Sequence, residues 1–248
     1  MKKISIITAT YNAETVLENM IQSIILQKTN EIEFIIIDGN SKDNTKKIIK
    51  NYNTYIDYFV SEPDKGIYDA WNKGIVAAKG EWLMFIGADD ELLPDAINKY
   101  LDLLNSKDLS SYDYISAQNE FINDENRILK IVGNGAKWKL MRRGNSAAHV
   151  ASLHHKKNLF GSIGYYNLNY KICADYELLL RKKNSLKSYF FKTKIAKMKV
   201  GGMSFTTNAI KEMYEIRKLH KTISPLCNKL LYYRDYSAFK FFKLRKSV

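Results

Sequence analysis

Several things are scarce in this chain of 248 residues. Cysteine occurs only as Cys173 and Cys227, far apart in the sequence. That excludes a disulfide framework and a paired-cysteine metal site, and the two are expected to be reduced thiols. No apolar stretch approaches the roughly 20 residues that cross a bilayer. The opening MKKISIITATYNAE turns polar at Thr8 to Thr10, too early for a signal peptide. A cytoplasmic location is therefore expected. Proline is down to three, no Pro/Gly/Ser-rich linker interrupts the chain, and no internal repeat is visible. Acidic residues are scarce in one region only: residues 181–248 carry 3 Asp and Glu against 18 Lys and Arg, whereas residues 1–180 carry 23 against 21. The entire positive excess is C-terminal, where a polyanion or an anionic membrane surface is the expected partner.

Apolar residues are plentiful, at 46% with 12% aromatic, so the chain is a globule with a sizeable core and not a disordered segment. The β-branched runs at residues 4–8 (ISIIT) and 33–37 (EFIII) read as buried parallel strands. Between them Val16, Leu17, Met20, Ile21, Ile24 and Ile25 share one helical face, completing a βαβ unit. A helix near 45–52, a strand near 56–60 and a helix over 67–79 continue the alternation, with Gly80 at the C′ position. WLMFI, residues 82–86, is a further strand. Pro94 opens a helix whose inner face is Ile97, Tyr100, Leu101 and Leu104. Beyond residue 105 the alternation fades, with strands expected near 112–118, 128–132, 149–154 and 189–200 and helices near 175–183 and beyond 207. The fold class is α/β: a Rossmann-like nucleotide-binding half with a mostly parallel central sheet, fused to a mixed half and followed by C-terminal helices.

Ligands of open α/β sheets bind at the carboxyl ends of the strands. Those ends read Thr8-Ala9-Thr10-Tyr11-Asn12, Asp38-Gly39-Asn40-Ser41, Ser61-Glu62-Pro63-Asp64 and Gly87-Ala88-Asp89-Asp90. One carboxylate at such a place is commonly a helix N-cap. Three of four ends carrying one calls for a compensating positive charge. A hard divalent cation supplies it, since Mg²⁺-like ions take one or two carboxylates plus substrate phosphates. Asp90 is the expected metal ligand. Asp89 is then free to contact a ribose or orient its neighbour, Asp38 to accept from a base N–H or a sugar hydroxyl, and Tyr11 to stack on a base. Together they point to a nucleoside diphosphate.

In this order TATYNAE, IIIDGNSKDNT, SEPDKGIYDAWNKG, GEWLMFIGADDEL and ADYELLL resemble the family 2 inverting glycosyltransferases of the GT-A fold, particularly bacterial surface-polysaccharide enzymes, over residues 3–205. The resemblance implies a catalytic domain over 1–205 and an appended helical extension over 206–248. It implies that Ala9, Thr10, Tyr11, Asp38, Asp64, Asp69 and Asp89 hold the nucleotide sugar, that Asp90 holds Mn²⁺ or Mg²⁺, and that Asp175 is the catalytic base. It places His149 near the acceptor, though a structural histidine fits the sequence as well. It also implies a UDP-sugar donor and a lipid-linked glycan acceptor. Two positions depart from the family pattern: Ala88-Asp89-Asp90 replaces Asp-x-Asp, and Ala174-Asp175 replaces Glu-Asp, leaving one carboxylate for base duty. Asp175 opens a helical stretch, whose macrodipole favours the ionised form. The GGMS sequence at 201–204 resembles a loop that closes over the site in relatives. His154 and His155 lack a third ligand and are assigned no metal. Trp71 and Trp82 are expected in the core.

The tail from Ser224 mixes Tyr and Phe with Lys and Arg, as in a helix lying at a membrane interface, with Tyr232, Tyr236 and Phe239 on one stripe. A helix packed on the catalytic body is the alternative. Three other functions fit less well. A dinucleotide oxidoreductase needs glycines after the first strand, which TATYNAE lacks. An aspartyl phosphotransferase built on Asp38 finds Asn40 where its second aspartate belongs. A nucleic-acid binder leaves the acidic strand edge idle.

Overall fold

The structure is a computed structural model that describes residues 1–144, 147, 149–202 and 204–246, with side chains to residue 241 in the last helix. The strands are β1 (Ile4–Thr10), β2 (Ile32–Asp38), β3 (Tyr58–Ser61), β4 (Trp82–Gly87), β5 (Glu91–Leu92), β6 (Tyr114–Ile122), β7 (Ile128–Val132), β8 (Leu153–His155) and β9 (Ser188–Lys199). The helices are α1 (Leu17–Ile25), α2 (Thr45–Asn51), α3 (Ile67–Ala77), α4 (Ala96–Ser106), α5 (Trp138–Met141), α6 (Gly161–Ile163), α7 (Ala174–Arg181), α8 (Thr207–Leu219) and α9 (Pro225–Lys246). They build one mixed sheet in the order β3-β2-β1-β4-β8-β6-β9-β5, with β7 also paired to β6.

The first four strands in that order are parallel, because each is joined to the next in sequence by a crossover helix. Both faces of β1, β2 and β4 are covered, which is why their sequences are continuous apolar runs, whereas the edge strand β3 is exposed or half-buried along its length. Alternate residues serve two cores. Ile4, Ile6, Phe34, Ile36, Met84 and Ile86 face α1, α2 and α4, and Ile7, Ile35, Ile37, Leu83 and Phe85 face α3, α7 and α8. The second half is mixed: β8 runs antiparallel to β4 and β6, while β9 runs parallel to β6.

Several boundaries differ from expectation for local reasons. Gly80 is not a helix C′ residue: α3 ends at Ala77 and Ala78 is already extended. Gly80 lies flat against β1, where a Cβ would meet the Ser5 nitrogen at 2.6 Å. Pro94 stands outside α4, which begins at Ala96 after a left-handed Asp95. The Leu93 N–H is bonded to the Ile195 carbonyl at 2.7 Å, so the chain stays extended one residue longer. The strand expected over 149–154 is β8 alone, because residues 149–152 form a turn closed by the Ser152 N–H on the His149 carbonyl at 3.1 Å. Trp71 and Trp82 are buried as expected, and both cysteines are free, Cys173 buried and Cys227 exposed.

Candidate active site

Strand register aligns the polar ends. Thr10 lies opposite Asp38, Asp38 opposite Ser61, and Ala9 opposite Gly87, so the four strand ends form one edge. Beside it lies a cavity of about 870 Å³ whose wall includes Gly87, Asp89, Asp90, His149 and Asp175.

Asp90 is the unusual carboxylate. It is 6% exposed, and its Oδ2 accepts one backbone N–H, from Gly87 at 3.1 Å. The other buried acids have fuller partners among the described residues. Glu33 takes the Ser5 hydroxyl and the Lys79 N–H, Asp113 and Glu120 each hold a lysine, and Glu177 holds Arg181 and His220. Burial, and then the neighbouring Asp89, push the Asp90 carboxyl up to about 8. Both carboxylates crowd the bare face of Gly87: a Cβ there would lie 2.8 Å from Asp90 Oδ2 and 3.0 Å from Asp89 Oδ1. This cradle fits a hard divalent cation that brings phosphate oxygens with it, because two carboxylates fill only part of its coordination sphere. No cluster of three or more His, Cys, Asp or Glu able to hold a metal by itself occurs among the described residues.

Asp175 lies in the first turn of α7 and its carboxylate lines the same cavity. Its pKa is raised, first by burial and further by the charge of Glu212, against bonds from the Tyr176 N–H and the Tyr68 hydroxyl that lower it. The N–H groups that open α7 do favour the ionised form, as a helix N-terminus should, but burial outweighs them and leaves the net shift upward. Tyr68 reaches Asp175 Oδ1 at 3.1 Å and the Ile172 carbonyl at 2.6 Å. With one proton to give, Tyr68 can serve the carbonyl and accept from Asp175 when that acid is protonated.

Glu212, on α8, was not legible in the sequence. Its Oε1 accepts the Lys171 N–H at 2.7 Å and its Oε2 accepts those of Ile172 and Cys173 at 2.9 Å each. One carboxylate thus caps the segment entering α7, its last donor two residues before Asp175. Nothing local marks it, since 37 residues of chain separate it from Asp175.

The remaining candidates divide. Tyr11 is 64% exposed, and Gly39 lets the Asp64 carboxylate and the Tyr11 ring converge, since a Cβ there would meet them at 2.6 and 3.3 Å. Asp64 Oδ1 also accepts the Gly66 N–H at 2.8 Å, and Asp69 accepts that of Lys65 at 2.9 Å, ordering the loop before α3. Asp38 is fully buried. Both its oxygens are taken by the Thr10, Ser41 and Ser61 hydroxyls and the Ser41 N–H, so it holds the loop instead of presenting an oxygen. The same occupancy gives no support to Asp38 as a phosphoryl acceptor. His149 is part of the cavity wall, its ring stacked on Phe85 at 5.5 Å. Its nitrogens are engaged: the Leu83 carbonyl accepts from His154 Nδ1, His154 Nε2 from His149 Nδ1, and His149 Nε2 from the Tyr166 hydroxyl. Burial holds both imidazoles neutral, His149 down to about 3. His154, given no role from sequence, is thus the anchor of His149. Gly202 and Ser204 of the GGMS segment line the cavity, while Met203 lies outside the described residues.

Comparison with known proteins agrees with this geometry. The sequence model of Glycosyl transferase family 2 matches residues 5–165. A PGL/p-HBAD biosynthesis glycosyltransferase of Mycobacterium bovis is 31% identical over 184 residues, covering 71% of this chain and 68% of the relative. Among solved structures, S. aureus TarS in complex with UDP superposes with a TM-score of 0.69 at 15% identity, covering 93% of this chain and 69% of TarS. The mannosyltransferase PcManGT from Pyrobaculum calidifontis, in complex with GDP-Man and Mn²⁺, gives 0.65 at 14%, covering 94% and 68%. A sheet flanked by helices, an acidic strand edge and these matches define a GT-A glycosyltransferase. The chain belongs to glycosyl transferase family 2.

Proposed function

We propose that this chain is a metal-dependent, inverting hexosyltransferase that moves a sugar from a nucleoside diphosphate to a hydroxyl of a lipid-linked surface glycan. The observation that carries it is Asp90: a buried acid beside a second acid, with one backbone partner, in the same cavity as Asp175. Asp89 and Asp90 would hold Mn²⁺ or Mg²⁺, which when bound neutralises the diphosphate of the donor. Tyr11 and Asp64, which converge over Gly39, would hold the nucleoside, with Ala9, Thr10 and Asp38 at the adjoining strand ends and Asp69 in the first turn of α3. UDP is the preferred nucleotide, by analogy with the TarS complex.

In the reaction Asp175 takes the proton of the acceptor hydroxyl. The hydroxyl oxygen bonds to the anomeric carbon from the face opposite the diphosphate, and the bond from that carbon to the diphosphate oxygen breaks. The raised pKa of Asp175 makes it a stronger base than a solvated carboxylate. Tyr68 keeps the carboxylate oriented. On the acceptor side Ile131 and Val132 line the cavity beside Lys130 and Lys199, a pairing of apolar wall and cation that suits a lipid-linked phosphate. His149 stands in the same cavity wall as the acceptor-side candidate.

The reading places the protein at a cytoplasmic membrane face. No helix among the described residues is long and apolar enough to cross a membrane. A thermal-shift panel of nucleotide sugars with and without Mn²⁺ is the direct test, because a ligand at 100 times its Kd adds about 2.7 kcal/mol of stability. Asp175→Asn should keep the shift and lose roughly 10²–10⁴ in turnover. Near-normal turnover, or a shift indifferent to metal, removes the proposal.

A further inference from the structure

The C-terminal helix has two apolar faces, and the protein body uses one. Asn228, Leu231, Tyr232, Asp235, Tyr236 and Phe239 recur at helical spacing and are buried or half-buried. This face meets α8: the Tyr214 and Tyr232 rings lie 5.3 Å apart, and Arg217 Nε donates to Asn228 Oδ1 at 2.7 Å. The aromatic stripe expected to reach a membrane is therefore the stripe turned inward. On the opposite side Leu226, Leu230, Tyr233 and Phe241 are 70%, 62%, 56% and 58% exposed. At 100° per residue these four fall within an arc of roughly 80°, interrupted by Ser237. Exposed Lys229 and Lys240 flank the arc on one side and exposed Arg234 on the other.

We propose that this outer face of α9 docks on an anionic lipid surface, with Leu226, Leu230, Tyr233 and Phe241 among the acyl chains and Lys229, Arg234 and Lys240 at the headgroups. Leu226, Leu230 and Tyr233, at helical spacing i, i+4 and i+7, form an exposed apolar row, and such a row marks an interaction surface. The charge around them selects the partner. Residues 225–248 carry six Lys and Arg against one Asp, so a second copy of the helix brought face to face would be repelled. A phosphate backbone satisfies the cations and leaves the leucines in water. An anionic bilayer surface takes both, since long basic side chains reach the headgroups while the apolar row sinks below them. Two apolar faces also explain why the sequence looks poorly amphipathic: one face binds the protein, the other the membrane. The inference rests on the reading of a membrane-borne acceptor for its purpose, and it is tested without any transfer reaction.

The test is co-sedimentation of the full chain with phosphatidylcholine vesicles, with and without phosphatidylglycerol. Wild type should pellet with the anionic vesicles only. The triple variant Leu226→Ser, Leu230→Ser, Tyr233→Ser should bind at least tenfold more weakly with an unchanged melting temperature, its side chains being already in solvent. Lys229→Glu with Lys240→Glu should also lose binding. The proposal is overturned if wild type ignores anionic vesicles, if the serine variant pellets like wild type, or if the serine changes turn a dimer into a monomer by light scattering.

Discussion

Replacing Glu212 by glutamine separates two things its carboxylate does at once. Its two oxygens accept three backbone N–H groups, from Lys171, Ile172 and Cys173, at 2.7, 2.9 and 2.9 Å. Glutamine keeps one oxygen and turns an NH₂ toward N–H donors, so one or two of those bonds are lost. A hydrogen bond to a charged group contributes about 1.5–3 kcal/mol, and the half-exposed site puts the expected loss on the order of 2–4 kcal/mol. For a chain of this size that is a fall of roughly 5–15 °C in Tm. The second effect is electrostatic. Burial first, and then the Glu212 charge, raise the pKa of Asp175. In the proposed reaction Asp175 is a base only when ionised, so turnover is expected to fall as pH drops through its pKa. Removing the Glu212 charge lowers that pKa and moves the acid limb of the rate profile to lower pH, with a smaller plateau because the base is weaker. Release of nucleoside diphosphate followed against pH, beside a melting curve, reads both. If Tm falls while the acid limb stays in place, Glu212 staples the loop and has no hold on the base. If Tm does not move, the capping argument itself is wrong.

Asp90→Asn should stabilise the metal-free protein at alkaline pH. The folded pKa of Asp90 is raised, so the fold retains a proton that the unfolded chain loses above about pH 4, and stability declines as pH climbs from there through about 8. Between about pH 6 and about pH 8.5 this amounts to roughly 2–3 kcal/mol that asparagine does not lose, or roughly 5–10 °C in relative Tm measured in EDTA. Equal pH slopes for the two proteins would refute it. Gly87→Ala places a Cβ 2.8 Å from Asp90 Oδ2 and 3.0 Å from Asp89 Oδ1. It should cost about 1–3 kcal/mol and weaken the Mn²⁺-dependent part of donor binding. An unchanged Mn²⁺ titration counts against the cradle.

What the sequence determined by itself was whatever depends on short-range pattern. The apolar runs at residues 4–8, 33–37 and 82–86 read as strands from pattern alone, and they are the centres of β1, β2 and β4. Five motifs in order were enough for family and fold, because strand ends are where a parallel sheet exposes its chemistry. Tertiary structure decided what depends on residues far apart. Asp38 and Asp90 look alike in sequence, each an aspartate at a strand end, but hydroxyls from Thr10 and Ser61 occupy one and a single N–H reaches the other. The pKa of Asp175 is raised by the surface packed over it, with a smaller push from the charge of Glu212, against the N–H groups of the helix it begins, and only the packed structure shows that burial wins. In α9 the choice between two apolar faces was made by α8, which covers Tyr232 and leaves Leu226 and Leu230 in water. Periodicity states which residues share a face; only the packed neighbour determines which face is buried.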